Sequence, residues 1–234
     1  MIKKDAIIFG YNEYARQIAF NVEGQFRSVH LYTQYESDAK AGRERGFDMA
    51  IFDLGDEWDD ITKDYDLEDL LIFCALEDDA ENVFLTISLR AAFTNVTIIS
   101  LAKNQESANK LRIAGANKVM PILQTTANVI TEILEKPIVT DVMHNILYAK
   151  SSLEIAQIHI EEGMSIVGKR LHDITWHEEY GIIILAVVDQ ELDTSFIFTS
   201  KGHNHKIDPG DLLVVIGYEQ DIKNFEETIR GIRG

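Results

Sequence analysis

The stretch Ala6-Ile7-Ile8-Phe9-Gly10-Tyr11-Asn12-Glu13-Tyr14-Ala15 decides the fold. Four consecutive apolar residues read as a strand, and the glycine at their end reads as a tight turn into a helix. This is the place of the Gly-x-Gly-x-x-Gly phosphate turn in a dinucleotide-binding βαβ unit. Only the first glycine is present. The second normally lets the backbone touch a pyrophosphate, and Asn12 hinders that approach; Ala15 at the third position only loosens helix packing. Glu13 places a carboxylate where the helix N-terminus would otherwise attract an anion.

Working outward, short apolar runs alternate with amphipathic segments up to about residue 120, the rhythm of a parallel sheet with helices on both faces. Six strands are expected: Ala6 to Phe9, Ser28 to Tyr32, Met49 to Phe52, Leu70 to Cys74, Thr97 to Ser100 and Lys118 to Met120. Among the helices, Ser37 is the expected N-cap of one, with Gly46 at its stop, and Asn104 of another, with Gly115 at its stop. Ala80 to Phe93 is the strongest helical segment. Gln124 to Lys150 reads as two helices split at Pro137, because proline fits a first turn and breaks an interior. From Leu153 the rhythm changes to strand-like runs, Leu153 to Ile160, Ile182 to Val188, Ser195 to Thr199 and Leu212 to Ile216, followed by a helix near Gln220 to Ile229.

The expected fold class is thus α/β, a doubly wound, Rossmann-like parallel sheet followed by a helical crossover and a small α+β subdomain. The division is 1–123, 124–150 and 151–234, within the 234 residues of the chain.

The bulk composition excludes several roles. A formal net charge of -17 repels a phosphate backbone, and no basic cluster offsets it, so nucleic acid is not an expected partner. The same charge disfavours anionic lipid, and no apolar run reaches the roughly 18 residues needed to span a bilayer, so direct membrane insertion is not expected. The single cysteine, Cys74, sits in an apolar run and cannot form an internal disulfide, which fits a reducing compartment. The N-terminal Met-Ile-Lys-Lys-Asp carries no secretory pattern.

Carboxylates follow two strands: Asp53, Asp56, Glu57, Asp59 and Asp60 after the third, and Glu77, Asp78, Asp79 and Glu81 after the fourth. Ligands of open α/β sheets bind beyond the carboxyl ends of strands, and hard cations take clustered oxygens, so these loops are candidates against a plain reading as a solvated acidic rim. Asp53 is the foremost single residue, with Gly10, Tyr11, Asn12, Glu77 and Asp78 as the other expected ligand contacts. The second strand ends Leu31-Tyr32-Thr33-Gln34 without the acid that clamps a ribose, and Glu36 comes late. His203 and His205 form a His-x-His in a polar loop, with His172 and His177 elsewhere in the same subdomain; a metal role stays open. No nucleophile–histidine or metalloprotease motif is present.

Beyond these readings, the chain resembles the RCK (KTN) family, cytoplasmic domains that regulate potassium channels and Trk/Ktr-type transporters. The resemblance rests on Ile7-Ile8-Phe9-Gly10-Tyr11, on Phe52-Asp53 where the family usually has Gly-Asp, and on Leu111-Arg112-Ile113-Ala114-Gly115-Ala116. In the second domain it rests on Gly163-Met164-Ser165-Ile166-Val167-Gly168-Lys169-Arg170-Leu171, Tyr180-Gly181-Ile182 and Asp208-Pro209-Gly210-Asp211-Leu212-Leu213-Val214-Val215-Ile216-Gly217. It implies that Pro137 to Ala149 is a crossover helix and that Val142, Met143, Ile146 and Leu147 make a dimer contact. It further implies that dimers assemble into a ring acting on a membrane-embedded pore from the inner face.

Family members bind nucleotides or cations in the first-domain cleft, and both stay open as cofactors here because the motif is degenerate. Glu13 stands where nucleotide-binding members often carry Arg. Calcium-gated members carry carboxylates after the fourth and fifth strands, where this chain has Ala75-Leu76 and Leu101-Ala102-Lys103. The expected function is a non-catalytic, ligand-sensing gating domain of a potassium channel. The alternatives are a peripheral nucleotide-binding transporter subunit, an NAD(P)-dependent oxidoreductase and a ligand-free assembly domain.

Overall fold

The structure, a computed structural model, describes residues 4–55, 58–147, 152–189, 196–198 and 205–231. The chain divides into two compact units, the first ending at Thr131 and the second beginning at Glu132. Among the described residues no helix is long and apolar enough to cross a membrane.

In the first unit, β1 (Asp5–Phe9), β2 (Ser28–Thr33), β3 (Asp48–Ile51), β4 (Leu70–Cys74), β5 (Thr97–Ala102) and β6 (Lys118–Pro121) form one sheet. Their order is β3-β2-β1-β4-β5-β6, and every neighbouring pair is parallel. The connections carry α1 (Glu13–Val22), α2 (Glu36–Glu44), α3 (Asp59–Asp64), α4 (Asp79–Ala92) and α5 (Gln105–Ile113). This is the doubly wound sheet expected from the sequence.

All of β1 is buried, and its side chains alternate between two cores, as the period of a strand dictates. Ile7 and Phe9 join Leu85 and Leu89 of α4 in one core. Ile8 joins Ala15 and Ala19 of α1 and Ala39 of α2 in the other. A strand covered on both sides has no polar face to present, which is why its sequence shows none.

The helix ends follow the expected chemistry in one case and depart from it in another. Asn104 caps α5, its Oδ1 accepting from Ser107 N at 3.0 Å, and Gly115 at φ +103° ends the segment. Ser37, however, is not the cap of α2. Tyr35 occupies that position without a side-chain bond, and Glu36 and Asp38 supply negative charge to the first turn.

After β6 come α6 (Ile122–Glu135) and α7 (Pro137–Leu147), with Pro137 opening α7. No residue of either helix is buried. On α7, Val142, Met143 and Leu147 are 51%, 42% and 51% exposed, and Ile146 is half-buried. Residues 148–151, including the last of the expected crossover helix, lie outside the described ones.

The second unit carries an antiparallel sheet of β7 (Leu153–His159), β8 (Ile183–Val188), β9 (Phe196–Phe198) and β10 (Leu212–Tyr218), in the order β7-β10-β8-β9. Alternate residues of β10, Leu213 and Val215, are buried with Ile222, Phe225 and Ile229 of α9 (Glu219–Ile229). Trp176 and Tyr180 of the short α8 (Trp176–Tyr180) pack on the same core, with the Tyr180 and Phe225 rings 4.9 Å apart.

Candidate functional site

Strand order reverses between β1 and β4, and a doubly wound sheet leaves a crevice beyond the strand ends at that point. Gly10 leaves β1 there at φ +123°, and a Cβ built on it would lie 2.4 Å from Ala75 O at the end of β4. The glycine is therefore required by the approach of the protein's own backbone, whatever ligand binds.

Asn12 occupies the next step of the turn. Its Oδ1 caps α1 by accepting from Ala15 N at 3.0 Å, and its Nδ2 donates to Ala75 O at 2.6 Å. One side chain thus closes the helix N-terminus and bridges the two strand ends across the crevice. This is the physical form of the hindrance that the missing second glycine implied.

Two clefts, of about 290 and 330 Å³, open on either side of this bridge, sharing Asn12, Leu76 and Glu77. The first is lined by five of the six expected ligand residues: Gly10, Tyr11, Asn12, Glu77 and Asp78. It also takes in Thr33, Tyr35, Asp38 and Glu81. Asp53 is not brought there. It is exposed beyond β3, with its Oδ1 accepting from Gly55 N at 2.8 Å. Asp56 and Glu57 lie outside the described residues.

Asp78 is committed to local structure, because its Oδ1 accepts from Ala80 N at 2.8 Å and from Glu81 N at 3.0 Å as the cap of α4. Tyr11 packs on the core beneath α1 and α2, and its hydroxyl is buried without a hydrogen-bond partner among the described residues. Arg16, whose guanidinium lies 5.3 Å from the Tyr11 ring, is paired with Glu13. The first cleft therefore has carboxylates from Asp38, Glu77, Asp78 and Glu81 in its wall and, among the described residues, no Lys, Arg or His.

The second cleft brings together Ala75, Leu76, Leu101, Ala102 and Lys103 with the carboxylates of Glu13, Glu77 and Asp79. The residues directly after β4 and β5, Ala75-Leu76 and Lys103, offer no side-chain oxygen to a hard cation, so the carboxylates of this cleft come from α1, the loop after β4 and α4 instead.

Sequence reasoning missed Asn82, which is buried in α4 and pins both loops. Its Oδ1 accepts from Leu76 N at 2.9 Å, and its Nδ2 donates to Leu76 O at 3.0 Å and Leu101 O at 3.2 Å. A polar residue among the apolar positions of the strongest helical segment was the available signal. Behind it Cys74 is fully buried, and that burial pushes its thiol up to about 11 against the lowering bonds from Thr86 and Ser100.

Of the histidines singled out, His203 lies outside the described residues and His172 is paired with Asp173 at the surface. His205 lies between Asp189 and Asp211 in the second unit, its Nε2 2.8 Å from Asp211 Oδ2.

Each of the two domains matches a known family: the TrkA-N domain over residues 6–121 and the TrkA-C domain over 155–230. The chain belongs to the TrkA-N/TrkA-C (RCK) family. Its RCK pair is homologous to potassium channel proteins of Methanocaldococcus jannaschii. It is 25% identical to "Probable potassium channel protein 2" over 164 residues, 68% of this chain and 47% of the relative. It is also 25% identical to "Potassium channel protein 1" over 175 residues, 74% of this chain and 51% of the relative. The RCK chain thus spans about half the length of the curated relatives it matches. In fold it is similar to the human SLO3 gating ring, with a TM-score of 0.66 at 11% identity, over 94% of this chain and 46% of that one.

Proposed function

We propose that the chain is a regulatory, non-catalytic gating domain of a potassium channel, acting at the inner face of the membrane as homodimers assembled into a ring. The observation that carries this is the tandem of TrkA-N and TrkA-C domains, together with the likeness of the chain to potassium channel proteins. Ligand binding in the first-domain clefts would favour one arrangement of the dimer over another and so shift the pore between closed and open populations. The carboxylate-lined cleft and the Asn12 bridge favour a cation or a hydroxyl-bearing ligand over a pyrophosphate. The same bridge weighs against a nicotinamide-dependent oxidoreductase.

A thermal-stability screen of the purified chain against ATP, ADP, AMP, NAD⁺, NADH, Ca²⁺, Mg²⁺, K⁺ and Na⁺ tests the reading. A ligand at a hundredfold excess over its Kd adds about 2.7 kcal/mol to the folded state, a rise in Tm of roughly 5–10 °C for a chain of this size. Uniform silence would leave an assembly domain without a ligand. A response confined to NAD⁺ and NADH would name a dinucleotide as the ligand and overturn the preference for a cation or a hydroxyl-bearing ligand.

A further inference from the structure

We propose that Asn12 determines which ligands the crevice of the first unit admits, an inference that rests on the clefts being the ligand site of the gating domain. Its side chain divides the crevice into two half-sites, each open to one small ligand, and excludes any ligand that must lie across the ends of β1 and β4. The backbone keeps one feature of a phosphate-binding turn, since Gly10 turns out of β1 at φ +123° directly against the end of β4. What differs is the side chain at the position of the second glycine. In a dinucleotide-binding turn that position is bare because the backbone there must approach the pyrophosphate, which joins the two halves of the ligand at the reversal of strand order. Here the passage is closed. Asn12 Nδ2 donates to Ala75 O at 2.6 Å, and two atoms in hydrogen-bond contact leave no room for a ligand between them.

The bridge is held at both ends. Asn12 Oδ1 accepts from Ala15 N at 3.0 Å, which fixes the orientation of the amide and occupies one of the α1 N-terminal donors that would otherwise face an anion. Clefts of about 290 and 330 Å³ remain, one on each side, and each alone is at the lower end of the roughly 300–1,000 Å³ that small-molecule sites occupy. Their walls share Asn12, so removing its side chain joins them. The backbone at Asn12, φ −85° and ψ −177°, is ordinary extended chain that serine or glycine adopts without strain, and substitution there changes the side chain alone. The carboxylates of the walls, Asp38 on one side and Glu13 and Asp79 on the other, oppose an anion by a different force. Salt screens that repulsion and leaves a steric bridge in place.

The test is calorimetric titration of the full chain with NAD⁺, which needs both halves, and with adenosine, which needs one, at about 1 M NaCl, where the screening length is about 3 Å. Asn12→Gly and Asn12→Ser are each expected to raise the affinity for NAD⁺ at least about tenfold over the wild type, while that for adenosine changes less than about threefold, the two ratios expected when only the long ligand meets the bridge. Serine is the more telling variant, because it keeps a favoured N-cap for α1 and carries no amide to reach Ala75 O. Should Asn12→Gly fail to fold, Asn12→Ser decides. Glu13→Gln, which removes charge and leaves the bridge, is expected to gain little for either ligand. A wild-type chain that already binds NAD⁺ far more tightly than adenosine, a folded Asn12→Ser with no gain, an equal gain for adenosine, or the same gain in Glu13→Gln would each overturn the assignment. A wild-type chain silent to every small molecule, beside an Asn12→Ser that gains NAD⁺, would support the bridge and count against ligand sensing alone.

Discussion

Replacing Asn12 by alanine removes both the acceptor that caps α1 and the donor that holds Ala75 O. A cap is worth about 1 kcal/mol and a hydrogen bond about as much, so Asn12→Ala should destabilise the chain by about 1–3 kcal/mol in urea unfolding. Asn12→Gly keeps a tolerated cap residue and should lie toward the lower end of that range. Gly10→Ala should be worse than either, because its Cβ meets a carbonyl oxygen at a backbone angle that L-residues avoid. Asp5 gives a test through pH. The Arg27 guanidinium holds its carboxyl below the usual range, with burial opposing and the Ser28 hydroxyl adding to the lowering. A lowered value in the fold means that this stabilisation is complete above the unfolded value near 3.9 and is lost as pH falls through the folded one. The cost of Asp5→Asn, read as a urea midpoint, should therefore shrink between pH 5 and pH 2.5. Cys74, buried and protonated, should resist iodoacetamide in the native chain at pH 8 and react readily once it is unfolded.

At the scale of elements, what the sequence showed and what it hid divide along physical lines. Uninterrupted apolar runs placed the strands, and Pro137 placed the break between α6 and α7, because both signals are local. The place of a loop in the sheet is not local. Asp53 follows a strand as Glu77 does, yet β3 is the edge of the order β3-β2-β1-β4-β5-β6, while β4 borders the reversal. The carboxylate therefore lies away from the cleft. Asp38, in the first turn of α2, is carried to the cleft wall by the fold, a placement that its local sequence does not signal. Ser37 looked like a cap, but β2 and its turn end early enough for α2 to start at Glu36. The apolar stripe of α7 is the element whose exposure asks for a partner. Ile146→Glu combined with Leu147→Glu should lower self-association, seen as a smaller species in sedimentation velocity, while Tm changes little because no residue of α7 is buried. An unchanged oligomer would remove α7 from the interface.

For the whole molecule, assembly has to overcome its own charge. Each copy carries -17, and bringing copies together raises a repulsion that apolar contact must exceed. The balance also bears on gating. Under the proposed gating role, moving a two-state ring from mostly closed to mostly open would take about 5.5 kcal/mol of differential binding, which several copies could share only if they stay associated. If the interface is the apolar stripe, salt acts on the repulsion alone: the screening length falls from about 30 Å at 0.01 M to about 8 Å at 0.15 M, and association should tighten. Sedimentation equilibrium across that range should then show the self-association Kd falling several-fold as salt rises. An interface held by ion pairs has the opposite slope, because salt weakens the attraction it depends on. The sign of the slope therefore identifies the force that joins the copies without any substitution, and a Kd that rises with salt would argue against α7 even if the double glutamate variant fails to associate.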